Sequence, residues 1–137
     1  MQPISVLVAD DDPYIRQCLR RALEIDPMLQ VRWEAENGLE AVVLADKHYP
    51  DVVLLDSEMP RMDGFEAAQC LRQRQPELCV VLMSVYEQAR TKAFESGATA
   101  FIVKGSGCKE LRSIVHNALK ACSLMAERCT GDLAAEI

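Results

Sequence analysis

Six residues whose side chains could do chemistry stand far apart in the chain: Asp10, Asp11 and Asp12 in one run, then Asp56, Ser84 and Lys104. All lie at or beyond the end of an apolar run. Carboxylates packed together repel one another, so a cluster of them calls for a counter-ion. Hard oxygen donors suit Mg²⁺, which typically takes one or two carboxylates, several waters and a phosphate oxygen. Asp10, Asp11 and Asp56 set against a divalent cation and the Lys104 ammonium leave a neutral site, able to accept a phosphoryl group. An Asp oxygen attacking phosphorus gives an acyl phosphate, a recognised covalent intermediate. That transfer needs mainly positioning and charge neutralisation. The metal and Lys104 would hold phosphoryl oxygens as charges, and Ser84 would donate a hydrogen bond. Asp12 has a plainer role: with Pro13 at the first helical position it makes an N-cap, which leaves Asp10 and Asp11 for the site. No cap role fits Asp56, because residues 57–63 separate it from Gly64 and the next helical pattern.

These residues need a frame to bring them together. Apolar runs at 4–9, 31–35, 52–55, 79–83 and 101–103 alternate with helical patterns. Three of the runs are nearly continuous Val, Ile and Leu, as strands buried on both faces of a parallel sheet read. Ile15, Leu19, Ala22 and Leu23 share one helical stripe, and Phe65, Ala68 and Leu71 another. Residues 39–47, closed by Pro50, form a third pattern, and Ala89, Ala93 and Phe94 mark a fourth that ends at Gly97. Leu111, Ile114, Val115, Ala118, Leu119 and Cys122 complete the set. Five β-then-α units predict a parallel α/β sheet with right-handed crossovers. Ligands in such sheets bind beyond the carboxyl ends of the strands, where strand order reverses. Residues 1–128 are expected to form one domain, with 129–137 a tail or the start of a linker after the Thr130-Gly131 break.

Composition excludes several classes. Of 137 residues, half are hydrophobic, so a full core is available and wholesale disorder is excluded. A net charge of −6 argues against direct nucleic-acid binding, which needs a basic footprint. No apolar run approaches the ~18 residues of a membrane span, and the first eight residues are too short for a signal peptide, so a cytoplasmic location is expected. The six cysteines include no C-x-x-C pair and read as free thiols rather than disulfides or zinc ligands. His48 and His116 sit in helical patterns away from other candidate ligands. Arg72, Arg74 and Glu77 read as a solvated face.

The ordered set of motifs resembles the receiver domain of bacterial two-component response regulators. The matching stretches are residues 6–13 (VLVADDDP), 34–41 (EAENGLEA) and 50–56 (PDVVLLD), then Met59-Pro60 and Met62-Asp63-Gly64. Val81-Leu82-Met83-Ser84 and Ser96-Gly97-Ala98, leading into Phe101-Ile102-Val103-Lys104, complete them. The resemblance implies a flavodoxin-like fold, a five-stranded parallel sheet of order 2-1-3-4-5 with five surrounding helices. It implies Asp56 as the phosphoacceptor. Asp11, Asp56 and the backbone carbonyl of Glu58 would ligate Mg²⁺, and Asp10 would act largely through water. Phe101 would be the switch aromatic, turning inward when the Ser84 hydroxyl moves toward the phosphoryl group. Partners would be a sensor histidine kinase, met through a patch that includes Tyr14, Ile15 and Cys18, and a second copy met through the fourth helix, fifth strand and fifth helix. Leu124 and Met125 extend the apolar content of the fifth helix and are candidates for that interface.

Four residues depart from the commoner family pattern. Ser84 keeps the hydroxyl where Thr is commoner. Val85 follows it where a small residue is usual, which would restrict access to the phosphoryl group. Gly105 follows the lysine in place of Pro, and Lys104-Gly105-Ser106 resembles receivers joined to LuxR-type DNA-binding domains. Glu58 stands two residues after the phosphoacceptor, where side chains influence hydrolysis. Two other classes compete: a phosphorylation-independent interaction module on the same fold, and a phosphatase of the haloacid dehalogenase class. The first usually loses one of the acidic pair, the acceptor or the lysine. The second needs a cap domain and a second acidic pair, neither of which is present in the sequence.

Overall fold

The computed structural model describes the backbone of residues 2–136 and the side chains of residues 2–123. Its elements alternate throughout: β1 (Ile4–Ala9), α1 (Pro13–Glu24), β2 (Leu29–Ala35), α2 (Gly38–His48), β3 (Val52–Asp56), α3 (Gly64–Arg74), β4 (Cys79–Ser84), α4 (Ala89–Glu95), β5 (Ala100–Val103) and α5 (Cys108–Glu136). All strand pairs are parallel, in the order β2-β1-β3-β4-β5 expected of the flavodoxin-like receiver fold.

The period-two alternation of side chains divides the core into two layers. Leu7, Ala9, Val53, Leu55, Val80 and Leu82 face Ala41 and Ala45 of α2, Ala67, Ala68 and Leu71 of α3, and Ala93 of α4. Val6, Val8, Val52, Leu54, Val81 and Met83 face Ala22 and Leu23 of α1 and Leu111, Val115 and Ala118 of α5. The central strands are buried on both faces, which is why their sequences read as unbroken apolar runs.

Register positions the strand ends. β1 and β3 pair Ala9 with Leu55, so Asp10 and Asp56 emerge side by side. β4 and β5 pair Ser84 with Val103, so Lys104 lies one residue beyond that pair. Asp12 caps α1 as predicted, accepting from the Tyr14 amide at 2.8 Å. Asn37 caps α2, and Asp63 with Glu66 makes a reciprocal capping box on α3.

Three features differ from the sequence reading. Arg72 is no solvated charge: its guanidinium donates to the carbonyls of Gly97, Pro76 and Leu78 and to Thr99 Oγ1, at 2.7 to 3.1 Å. It ties the end of α3 to the turn that enters β5, where Gly97 adopts φ +101°. Phe94, one of the residues that mark the fourth helical pattern, does lie on α4 but is 46% exposed, and of that pattern only Ala93 is buried. The α5 helix continues through Thr130-Gly131, where the sequence suggests a break. The side chains of Leu124, Met125 and Cys129 lie outside the described residues.

Among the described residues all cysteines are free. His48 stacks on Trp33 with ring centroids 4.8 Å apart, and His116 Nε2 lies 2.7 Å from Asp26 Oδ2, linking α5 to the turn after α1. Both contacts account for these histidines as structural groups.

Candidate functional site

Two adjacent strand ends, those of β1 and β3, build a single acidic cluster. Asp10 is 1% exposed and Asp56 is 7% exposed, whereas Asp11 lies at the surface. One carboxylate oxygen from each of the three lies within 4.8 Å of the others. Lys104, from the edge strand, reaches across β4 to this cluster. Its Nζ is 2.8 Å from Asp10 Oδ2 and 3.1 Å from Asp56 Oδ1. The other oxygen of Asp10 accepts from the Asp12 amide at 2.9 Å. Both Asp10 oxygens therefore have partners, whereas Asp11 faces outward.

Burial dominates the acidity of Asp56 and pushes its carboxyl above the ordinary range. The Lys104 ammonium opposes that shift, the Asp10 charge adds to it, and a hydrogen bond from the Glu58 backbone works against it. For Lys104 burial works downward, but hydrogen bonds and charge from Asp10 and Asp56 outweigh it and hold the ammonium above its usual pKa. The pair is thus an ammonium held between two carboxylates, one of which is unusually ready to carry a proton.

Backbone contacts fix the loop around Asp56. The Ser57 amide donates to Met83 O at 2.8 Å, and the Gly64 amide donates to Ser57 O at 3.1 Å. Gly38 donates to Met62 O at 2.9 Å, anchoring the same loop to α2. Over the cluster lies an open cleft of about 640 Å³ whose walls include Asp11, Asp56, Met59, Phe65, Val85 and Lys104. Val85 is 60% exposed at its mouth.

Ser84 is buried, and its Oγ accepts from the Tyr86 amide at 3.1 Å. Phe101 is buried as well, with the Arg90 guanidinium 5.0 Å above its ring, and Arg90 is bound in turn to Glu87 at 2.6 Å. Tyr14 is exposed, and Ile15 and Cys18 line a separate apolar cleft of about 300 Å³ between α1 and the loop that follows Lys104. Ile15 and Cys18 line a different cleft from the one over the acidic cluster, and Lys104 borders both.

Sequence reasoning missed Arg16, whose Nη1 donates to the Asp10 carbonyl at 2.7 Å and whose Nε donates to Glu34 at 3.1 Å. The available signal was a positive charge one helical turn beyond the acidic run. Arg90 was missed too, because its partners Glu87 and Phe101 are joined only by the fold.

The donor set can be tested against a metal. It is composed of carboxylate oxygens, one of them exposed, with no nitrogen or sulfur ligand nearby in the cluster. Such a set suits a hard divalent cation rather than zinc or copper. The residues present fit Mg²⁺.

A five-stranded parallel sheet whose reversal point carries an acidic cluster and a reaching lysine defines a class of doubly wound α/β domain with its site at the carboxyl ends of the strands. Residues 6–116 match the response regulator receiver domain, and the chain belongs to that family of two-component signalling modules. It is 34% identical over 138 residues to the probable transcriptional regulatory protein NarL of Mycobacterium tuberculosis, covering 99% of this chain and 64% of that protein. It is 36% identical over 133 residues to a protein-glutamate methylesterase/protein-glutamine glutaminase of Pyrococcus horikoshii, covering 91% of this chain and 36% of that protein. The chain thus spans from about a third to just under two thirds of these relatives. The solved signal receiver domain of the NarL regulator from M. tuberculosis superposes with a TM-score of 0.83 at 34% identity, covering 88% of this chain and 98% of that one. A chain of the CheX-CheY-BeF3-Mg²⁺ complex from Borrelia burgdorferi is similar at a TM-score of 0.79 and 28% identity, covering 85% of this chain and 89% of that one. Family membership sets aside the phosphatase alternative. Among the described residues no helix is long and apolar enough to cross a membrane.

Proposed function

We propose that this receiver takes a phosphoryl group from a sensor histidine kinase onto Asp56, with Mg²⁺, and relays the change through α4, β5 and α5. The observation that carries the reading is the Lys104 ammonium between Asp10 and Asp56, 2.8 and 3.1 Å away, beside the outward Asp11. Asp11, Asp56 and the Glu58 backbone carbonyl would hold the cation, with Asp10 acting through water because both its oxygens already have partners. When bound, Mg²⁺ supplies positive charge against the phosphoryl oxygens.

The protein's own groups do the rest. An Asp56 carboxylate oxygen attacks phosphorus, the new O–P bond forms, and the P–N bond to the donor histidine breaks with its electron pair leaving on the imidazole nitrogen. Lys104 turns from Asp56 to a phosphoryl oxygen while keeping Asp10, so its charge stays matched. Ser84 exchanges its contact with the Tyr86 amide for donation to a phosphoryl oxygen, which draws the 84–86 backbone toward the site. Phe101 is the switch aromatic of this reading; it is buried beneath Arg90, in the inward position that movement of Ser84 toward the phosphoryl group would favour. The product carries about −1.5 to −2 charge near neutrality, enough to bias a two-state surface.

Tyr14, Ile15 and Cys18, beside the apolar cleft, supply the face that meets the kinase. The α4-β5-α5 surface would support a homodimer. Output would be transcriptional, through an effector domain joined beyond residues 1–128 by way of 129–137; the similarity to NarL over nearly the whole chain supports this. The chain's own chemistry would be limited to weak Mg²⁺-dependent self-phosphorylation and slow self-hydrolysis.

The test is intact-mass measurement after incubation with Mg²⁺ and a small-molecule phosphodonor, alongside Asp56→Asn. A phosphoryl adduct on the parent that is absent from the variant is expected. No adduct, or one that survives the substitution, would overturn the reading in favour of a phosphorylation-independent interaction module.

A further inference from the structure

We infer that Arg16 is a positioning residue for the metal-binding carboxylates, holding the Asp10–Asp11 peptide so that Asp11 is aimed at the cation. This rests on the reading of Asp10, Asp11 and Asp56 as a Mg²⁺ site.

The Arg16 side chain is 11% exposed, unusual for a charge on a surface helix. Its burial is matched by two fixed partners, the Asp10 carbonyl at 2.7 Å and the Glu34 carboxylate at 3.1 Å. On its other side the same strand end is held by the Asp10 amide, which donates to Ala35 O at 3.1 Å. The Asp10 carbonyl and the Asp11 amide belong to one planar peptide unit. Fixing that oxygen fixes the plane from which Asp11 departs. Asp11 is exposed, so its carboxylate depends on the backbone for its direction. Glu34 also takes Arg20 Nη2 at 2.7 Å, and Arg20 lies 3.8 Å from Glu24, so two guanidiniums meet two carboxylates and geometry is what reaches the site. Arg16 meets the carbonyl through Nη1 and the carboxylate through Nε, two atoms fixed in one plane, whereas a lysine would have to reach both acceptors from one shorter, freely rotating terminus.

The experiment is calorimetric titration of Mg²⁺ into the whole chain. Arg16→Lys and Arg16→Met are expected to weaken binding about tenfold, as loss of an outer partner commonly does. Arg20→Met removes the other guanidinium from the same Glu34 without touching Asp10, and is expected to bind Mg²⁺ as the parent does. With Mg²⁺ saturating, adduct formation from a small phosphodonor should recover in the Arg16 variants, since Asp56, Ser84 and Lys104 are intact. Parent-like affinity in the Arg16 variants, or equal weakening in Arg20→Met, would overturn the inference. Should circular dichroism find the Arg16 variants unfolded, Glu34→Gln loosens the second anchor. A several-fold weakening there supports the role and an unchanged affinity overturns it. A parent that binds no Mg²⁺ refutes the metal site itself and the inference with it, an outcome distinct from a binding parent matched by its variants.

Discussion

Gly64 lies against the backbone carbonyl of Asp56, so near that a methyl group on its Cα would overlap the Asp56 oxygen. The first residue of α3 is therefore in contact with the residue at the centre of the acidic cluster. Gly64→Ala must displace either the loop or the strand end. We expect a loss of about 1–3 kcal/mol in urea unfolding, the usual cost of overpacking. Uptake of phosphate from a small donor should fall beyond what the stability loss explains. Gly105→Ala is a useful contrast, since no neighbour stands within 4 Å of its added carbon and only its φ of +91° resists.

The raised pKa of Asp56 has a sign that can be checked. A carboxyl whose folded pKa lies above its unfolded value favours folding below the unfolded value. That contribution is lost as pH rises through the folded one. At neutral pH the buried charge therefore opposes folding. Asp56→Asn removes it, and Lys104 is not orphaned because Asp10 remains 2.8 Å away. The variant is expected to be more stable at pH 7 by about 1 kcal/mol, a rise of about 3–5 °C in Tm. The difference should shrink on acidification below the folded pKa of Asp56. A variant less stable than the parent at pH 7 would contradict this account.

Glu34 has the opposite sign. Hydrogen bonds from Arg20, and then from Arg16, outweigh burial and hold its carboxyl below the ordinary value of 4.5. Its ion pairs thus contribute stability that is complete above that value and lost as pH falls through the depressed one. The Asp26 carboxyl, lowered by the Met28 amide and His116, follows the same direction from its ordinary 3.8. Stability should decline below about pH 4.5, and Glu34→Gln should flatten the upper part of that decline, by about 0.5–1 kcal/mol for pairs this exposed. Thermal melts between pH 3 and 7 would show it.

Arg72 closes the gap between α3 and the entrance to β5. Arg72→Met keeps the aliphatic stem against Gly97 but leaves the Gly97, Pro76 and Leu78 carbonyls without the guanidinium. A cost of about 3 kcal/mol is expected, from several charged hydrogen bonds lost at partly buried acceptors. Urea denaturation measures it, and a cost no larger than that of Arg74→Met would contradict the role.

Val85 stands at the mouth of the cleft where a smaller residue would leave more room. Val85→Ala is expected to shorten the lifetime of the phosphoryl group on Asp56 several-fold, as water gains access. Decay of the intact-mass adduct after donor removal reads this directly, and an unchanged lifetime would reject it.

What the sequence made legible was what local chemistry decides. Residues 52–55 had to be a doubly buried strand, and Asp56 after them had no turn or cap to serve. Asp12 before Pro13 had an N-cap role, and the pairing of Ala9 with Leu55 then put Asp10 beside Asp56. Residues whose partners are remote in sequence were not legible. Arg72 meets Gly97 and Thr99 across an entire strand and helix, so its charge looked like solvated surface. Arg16 is near the acidic run in sequence, a signal in itself, but its acceptor is the Asp10 backbone carbonyl and its other partner, Glu34, lies 18 residues on, so its role needed the fold. Phe94 fitted the apolar stripe of α4, yet that short helix buries only Ala93. At Thr130-Gly131 the expected break gave too much weight to one glycine, whose cost of about 1 kcal/mol within a helix can be borne by a long one.

Lys104 and Asp10 are 94 residues apart in the chain, and the lysine directly follows β5, the last strand in sequence and one edge of the sheet. Closing a contact of that span is among the slower acts of folding. A chain that has assembled β1 through β4 but not docked β5 would present two or three facing carboxylates and no ammonium between them. Such a chain lacks the charge balance on which phosphoryl uptake is proposed to depend. If phosphoryl uptake works as proposed, the same lysine would make competence to receive a signal conditional on docking of the last strand.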